Sequence, residues 1–117
     1  MTTTLYGIAN CDTVKKAKKW LAANNINYVF HDFRKDGLDK AWLDAVAEQV
    51  DWSVLLNKRG TTFRQLPDED KQDIDKDKAL ALMLAHPAMI KRPVLLHNDT
   101  CQVGFSEAVY QDVFANE

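Results

Sequence analysis

Two short stretches rich in β-branched and aromatic residues, TTLYGI at 3–8 and INYVFHDF at 26–33, flank a single helix-period segment. No other feature constrains the chain as much. Strand, helix and strand in that order favour two parallel strands joined by a right-handed crossover. In the connecting segment Val14, Ala17 and Leu21 recur on one face, with Lys15, Lys16 and Lys19 opposite. A helix is therefore predicted from Asp12, after a turn at ANC, and Asn24 and Asn25 end it. Gly7 marks a bend or a close backbone approach.

The middle of the chain reads as helical. Asp39 caps a helix from about Lys40, with Trp42, Leu43, Val46 and Ala47 as its apolar stripe. SVLLNKRGTTF is an apolar run entering a loop that Gly60 breaks, with Thr61 or Thr62 capping a short helix near Pro67. The mixed-sign run DEDKQDIDKDK reads as a solvated loop and helix start. KALALMLA follows as a helix with Leu80, Met83 and Leu84 facing a core, stopped before Pro87. RPVLLHN and CQVGF read as an antiparallel pair across an HNDT turn. SEAVYQDVF closes the chain as a helix capped by Ser106, packing through Ala108, Val109 and Val113. The expected architecture is α/β: a four-stranded mixed sheet with helices on both faces, in one domain over residues 1–117.

Composition excludes several classes. A formal net charge of −2 offers no global basic field for nucleic acid. No apolar run approaches the roughly 18 residues of a membrane span. The first residues lack a charged segment followed by an apolar one, so the cytoplasm is the expected compartment. Three scattered histidines and two cysteines, Cys11 and Cys101, make neither a metal site nor a disulfide framework. Two free thiols are expected.

Cys11 sits where a strand gives way to a helix N-terminus. Unsatisfied N–H groups and the positive end of the helix dipole favour an anion there, whether a bound oxyanion or the thiolate itself. Lys15 shares its helix face, and the Thr13 hydroxyl is near enough in sequence to donate to sulfur. Such a setting lowers a thiol pKa. The competing reading is a small residue that packs and stays inert. Val14 occupies the position where a C-x-x-C motif has its second cysteine. A redox cycle through Cys11 then needs an outside thiol such as glutathione, or else Cys101. Arg92-Pro93 is the second informative place: a cis proline there turns Arg92 toward the Cys11 end of the sheet, and otherwise Arg92 is a surface residue. Lys58, Arg59 and Arg64 either add charge from the middle segment or face solvent.

YGIANCDTVKKAKKWL, LLNKRGTTFRQL, HPAMIKRPVL and VGFSEAVY, in that order along nearly the whole chain, resemble the arsenate-reductase-like (ArsC/Spx) family, and within it the YffB-type branch. The resemblance implies a thioredoxin-like fold with a helical insertion between its β-α-β and β-β-α parts, and a cis Pro93 facing the cysteine. It implies Cys11 and Arg92 as catalytic residues; with the surroundings of the thiol, the expected substrate-binding residues are Asn10, Thr13, Lys15, Arg59 and Pro93. Two further arginines that hold arsenate in such reductases match Asn57, with Arg59 two residues on, and Gly104, which leaves that cradle incomplete. The resemblance thus implies a glutathione-dependent thiol reductase, a monomer with no bound cofactor and glutathione as co-substrate. Its alternatives are an arsenate reductase with a relaxed oxyanion site and a non-enzymatic regulator of the Spx type acting on RNA polymerase.

Overall fold

The computed structural model describes residues 3–115. Its elements run β1 (Thr3–Gly7), α1 (Asp12–Ala23), β2 (Val29–Asp32), α2 (Lys40–Gln49), α3 (Trp52–Leu55), α4 (Thr61–Arg64), α5 (Asp68–Lys71), α6 (Lys76–Ala85), a 3-10 turn (Pro87–Met89), β3 (Val94–His97), β4 (Thr100–Val103) and α7 (Glu107–Phe114). They fall into two compact units. The first takes the described parts of Met1–Asp36 and Arg92–Glu117, and the second is Gly37–Lys91.

The first unit is a four-stranded mixed sheet in the order β2-β1-β3-β4. β1 pairs parallel with β2, and β3 pairs antiparallel with β4, as the sequence leads one to expect; β1 also pairs antiparallel with β3, which joins the two halves. Leu5 and Leu95 face each other across β1 and β3, and both are fully buried. They share one core with Val14, Ala17, Trp20 and Leu21 of α1 and with Tyr110 of α7. Burying such side chains contributes roughly 1.5–3 kcal/mol each, so this core is what fixes α1 and α7 on the sheet.

Gly7 is the close approach its position suggests. A Cβ there would lie 2.8 Å from Val14 Cγ2. The stiff, fully buried valine cannot swing away, so α1 rides against the end of β1 only because residue 7 has no side chain. Gly7→Ala is expected to lower stability by about 1–2 kcal/mol and to shift the start of α1. Denaturant unfolding measures the first effect, and the reactivity of Cys11 measures the second.

β2 begins at Val29, three residues later than the aromatic run suggests. The reason lies in the end of α1. Asn25 takes a positive φ of 59°. Its N–H donates to Ala22 O at 3.1 Å, and the Ile26 N–H donates to Leu21 O at 2.9 Å. This is the paired closure of a helix by a left-handed residue, and it removes Ile26 from the sheet ladder. α7 also departs from expectation. Ser106 stands at its N-cap but makes no side-chain capping bond, and Ala108 is exposed. The face that packs is Tyr110, with Val113 and Phe114 partly covered. The Tyr110 ring meets Trp20 edge-on at 5.6 Å and Phe105 at 4.8 Å.

The Tyr110 hydroxyl is buried and has no hydrogen-bond partner among the described residues. Burial also drives its pKa well above the usual tyrosine range. Tyr110→Phe keeps the ring contacts and removes an uncompensated polar group. It is expected to raise stability by about 1 kcal/mol, read as an upward shift in Tm.

In the second unit Asp39 caps α2 by accepting from the Ala41 N–H at 3.1 Å. Asp75 caps α6 by accepting from the Lys78 N–H at 2.8 Å. The segment after Gln49 forms the one-turn helix α3 rather than a plain apolar run, because Asp51 accepts from the Ser53 N–H at 2.9 Å. Gly60, not a threonine, occupies the N-cap of α4. Leu43, Val46, Leu55, Met83, Met89 and Ile90 are buried. A bridge between Leu56 and Ile90 ties the loop after α3 to the chain after the 3-10 turn.

Candidate active site

Cys11 occupies the N-cap of α1 with extended backbone angles, φ −142° and ψ 124°. Its carbonyl accepts from the Lys15 N–H at 3.0 Å, which opens the helix. The sulfur is half-buried and the thiol is free. Burial pushes the thiol pKa up, but other groups outweigh it and the net shift is downward. They are the Val14 N–H, then the Arg92 guanidinium, which hydrogen-bonds the sulfur and adds its charge, then the Thr13 N–H. Sγ makes no capping bond of full geometry, so the two amides act as dipoles aimed at it rather than as a closed cap.

Arg92 arrives through the peptide bond that follows it. Arg92-Pro93 is cis. Pro93 is buried at the start of β3, and its carbonyl accepts from the Gly104 N–H at 2.8 Å. The chain before β3 and the loop after β4 are thereby held at the sheet end where β1 delivers Cys11. The register keeps Cys101 from that end: it lies opposite Leu96, while Val103 lies opposite Val94. Burial raises the Cys101 thiol pKa, which leaves it a poor nucleophile.

Three of the expected site residues, Cys11, Thr13 and Arg92, meet in the first unit, and Pro93 is the cis residue that follows Arg92. The role of two residues there changes. Lys15 is exposed, and it is Arg92 that brings positive charge to the sulfur. Thr13 acts on the sulfur through its backbone N–H instead of its hydroxyl. Asn10 is exposed in the turn just before Cys11. Arg59 belongs to the second unit, where its N–H donates to Asn57 Oδ1 at 3.1 Å. There it lines a hollow of about 320 Å³ with Asn57, Lys58 and Lys91. Gly104 has a positive φ of 83° and open space where a side chain would stand.

Asp32, at the end of β2, was not anticipated. Its carboxylate accepts from the Arg34 N–H at 2.8 Å and the Lys35 N–H at 3.3 Å. The Arg34 N–H is the main cause that holds its pKa below the usual carboxylate range, with the Ala9 N–H also contributing. Asp32 therefore closes the turn after β2 with its own side chain, near the turn that carries Cys11. The only trace of this in the sequence is an aspartate followed by FRKD, the pattern of a side-chain-closed turn.

Among the described residues no group of three or more His, Cys, Asp or Glu is placed to hold a metal. No described helix is long and apolar enough to cross a membrane.

A sheet of order β2-β1-β3-β4, a cysteine heading its first helix and a cis proline just before β3 define a thioredoxin-like protein with one thiol at its reactive end. The chain belongs to the ArsC family, whose model matches residues 6–113. The solved structure of the YffB protein superposes with a TM-score of 0.92 at 45% identity, over 95% of this chain and 97% of that one. An arsenate reductase (ArsC) related protein from Brucella melitensis is 49% identical with a TM-score of 0.79, over 97% of this chain and 95% of its own. The global transcriptional regulator Spx 2 of Bacillus cereus is 26% identical over 105 residues, 88% of this chain and 79% of that protein.

Proposed function

We propose that the protein is a glutathione-dependent thiol reductase whose nucleophile is Cys11. The observation that carries this reading is a free thiol at a helix N-terminus, with the Val14 N–H, the Arg92 guanidinium and the Thr13 N–H lowering its pKa. The thiolate attacks one sulfur of a disulfide and forms a mixed disulfide, and the other sulfur departs as a thiolate. Val14 stands where a resolving cysteine would be, and Cys101 lies off the reactive end of the sheet. A second thiol from solution must therefore attack the mixed disulfide, and glutathione is the abundant cytoplasmic candidate. Arg92 stabilises the thiolate as attacker and as leaving group, and pairs with a substrate carboxylate when sulfur is engaged. Asn10 and the Thr13 backbone border the place where the substrate's sulfur enters.

The test is turnover of a small mixed disulfide with glutathione, coupled to glutathione reductase and NADPH. Turnover well above the uncatalysed exchange is expected, and a rate equal to the uncatalysed one would sink the reading.

A second reading, arsenate reduction, is favoured by the likeness to the arsenate reductase-related protein of Brucella melitensis. Gly104 offers no side chain to an oxyanion, which weighs against it. Arsenate-dependent NADPH oxidation with glutathione and glutaredoxin separates the two. The likeness to Spx 2 supports a third, a regulator that binds RNA polymerase, and recovery of polymerase subunits on the purified protein tests it.

A further inference from the structure

One hollow of the first unit does not contain the sulfur but begins beside it. It is an open groove of about 620 Å³, to which α1 contributes Thr13, Lys16, Lys19, Trp20 and Ala23. Phe105, Ser106 and Glu107, from the junction of β4 and α7, complete it. Thr13 ties the groove to the chemistry, because its backbone N–H acts on the Cys11 sulfur. From Thr13 to Ala23 the helix advances roughly 15 Å at 1.5 Å per residue. That is the span of about four to five residues of extended chain. The volume lies within the range of pockets that seat a ligand, and the open form lets a longer chain enter and leave.

The lining states what the occupant must be. Trp20 and Phe105 both pack edge-on against the buried Tyr110, so the apolar part of the groove is rigidly backed. Lys16 and Lys19 are exposed and bring two positive charges, against the single negative charge of Glu107. Lys18, on the same helix, lies off the groove and over the Phe30 ring at 3.6 Å.

We infer that this groove receives an extended acidic segment of a protein disulfide substrate, with an aromatic or large apolar residue, next to the cysteine that Cys11 attacks. The inference rests on the thiol-reductase reading and names the substrate class for it. In the attack the Cys11 thiolate forms a sulfur–sulfur bond to the segment's cysteine. The original disulfide breaks, and its other sulfur leaves with the electron pair and takes a proton from water. A glutathione thiolate then attacks the segment's sulfur, forming a glutathione–segment disulfide, and Cys11 leaves with the electron pair as the thiolate.

The test uses short peptides with one cysteine, one phenylalanine and either two glutamates or two lysines, the cysteine sulfur activated with thionitrobenzoate. Release of thionitrobenzoate by the Cys101→Ser protein reads the first step alone. The acidic peptide is expected to react about tenfold faster than the basic one, and less so when its phenylalanine is alanine. The double change Lys16→Glu, Lys19→Glu should reverse the preference, while Lys18→Glu should preserve it. Equal rates for the two peptides, or a preference lost equally with Lys18→Glu, overturns the groove as the cause. Failure of Cys11 to react even with glutathione activated in the same way overturns the reductase reading and this inference together. Reaction with that small disulfide but no peptide preference overturns this inference alone.

Discussion

Cys11→Ser is expected to abolish thiol transfer, leaving only the uncatalysed exchange, while the protein folds with unchanged stability to within about 1 kcal/mol. Serine is close in size and Sγ makes no capping bond of full geometry, so the change removes the nucleophile and little else. The attacking species is the thiolate, and no other thiol stands at that end of the sheet. The pH profile gives the finer test. Alkylation of Cys11 by iodoacetamide should rise with pH, reach half its plateau below the ordinary thiol range and then level off. Cys101, whose pKa burial raises, should follow at higher pH. The sign follows from the folded state favouring the charged form. The thiolate's contribution to stability is fully present above the unfolded thiol's pKa, and it is lost as pH falls through the lower folded value. A Cys11 midpoint at or above that of Cys101 would contradict the structure. Survival of turnover in Cys11→Ser would contradict the mechanism.

Arg92→Ala is expected to cut kcat/KM for thiol transfer by roughly 10- to 100-fold, the scale of losing a hydrogen bond to a charged group. It should also move the Cys11 alkylation profile to higher pH, because the guanidinium both hydrogen-bonds the sulfur and attracts its charge. Arg92→Lys keeps the charge without the planar donor set and should fall between. Lys15→Ala should leave the profile nearly where it is, since that side chain is exposed and does not act on the sulfur. The two profiles together decide whether a neighbouring residue of the helix or a residue distant in sequence sets the thiol. A shift with Lys15→Ala and none with Arg92→Ala would reverse the assignment.

That contrast shows what kinds of information the chain carries locally. Asp39 announces α2, and the asparagines at 24 and 25 announce the end of α1, because caps and left-handed turns depend on one residue and the peptides beside it. The parallel pair β1/β2 and the antiparallel pair β3/β4 were legible for the same reason, since short connections leave few alternatives, whereas the placing of β3 beside β1 was not, because about sixty residues separate β2 from β3. The start of β2 was not, because Ile26 has one N–H and α1 uses it. The face of α7 was misjudged because Ala108, Val109 and Val113 make as plausible a stripe as Tyr110, Val113 and Phe114 until Trp20 and Phe105 are in place.

By itself, then, the sequence determined a β-α-β opening, a cysteine at the head of its helix and the lack of a second thiol one turn on. These are properties of neighbours along the chain, set by periodicity, capping and residue identity. Only the tertiary structure decided which cation meets the sulfur, that Asp32 comes near the turn before it, and that α1 and the start of α7 share a groove. Each of those depends on side chains brought together from separate segments, where distance and burial set the electrostatics, and none is written in the spacing of residues.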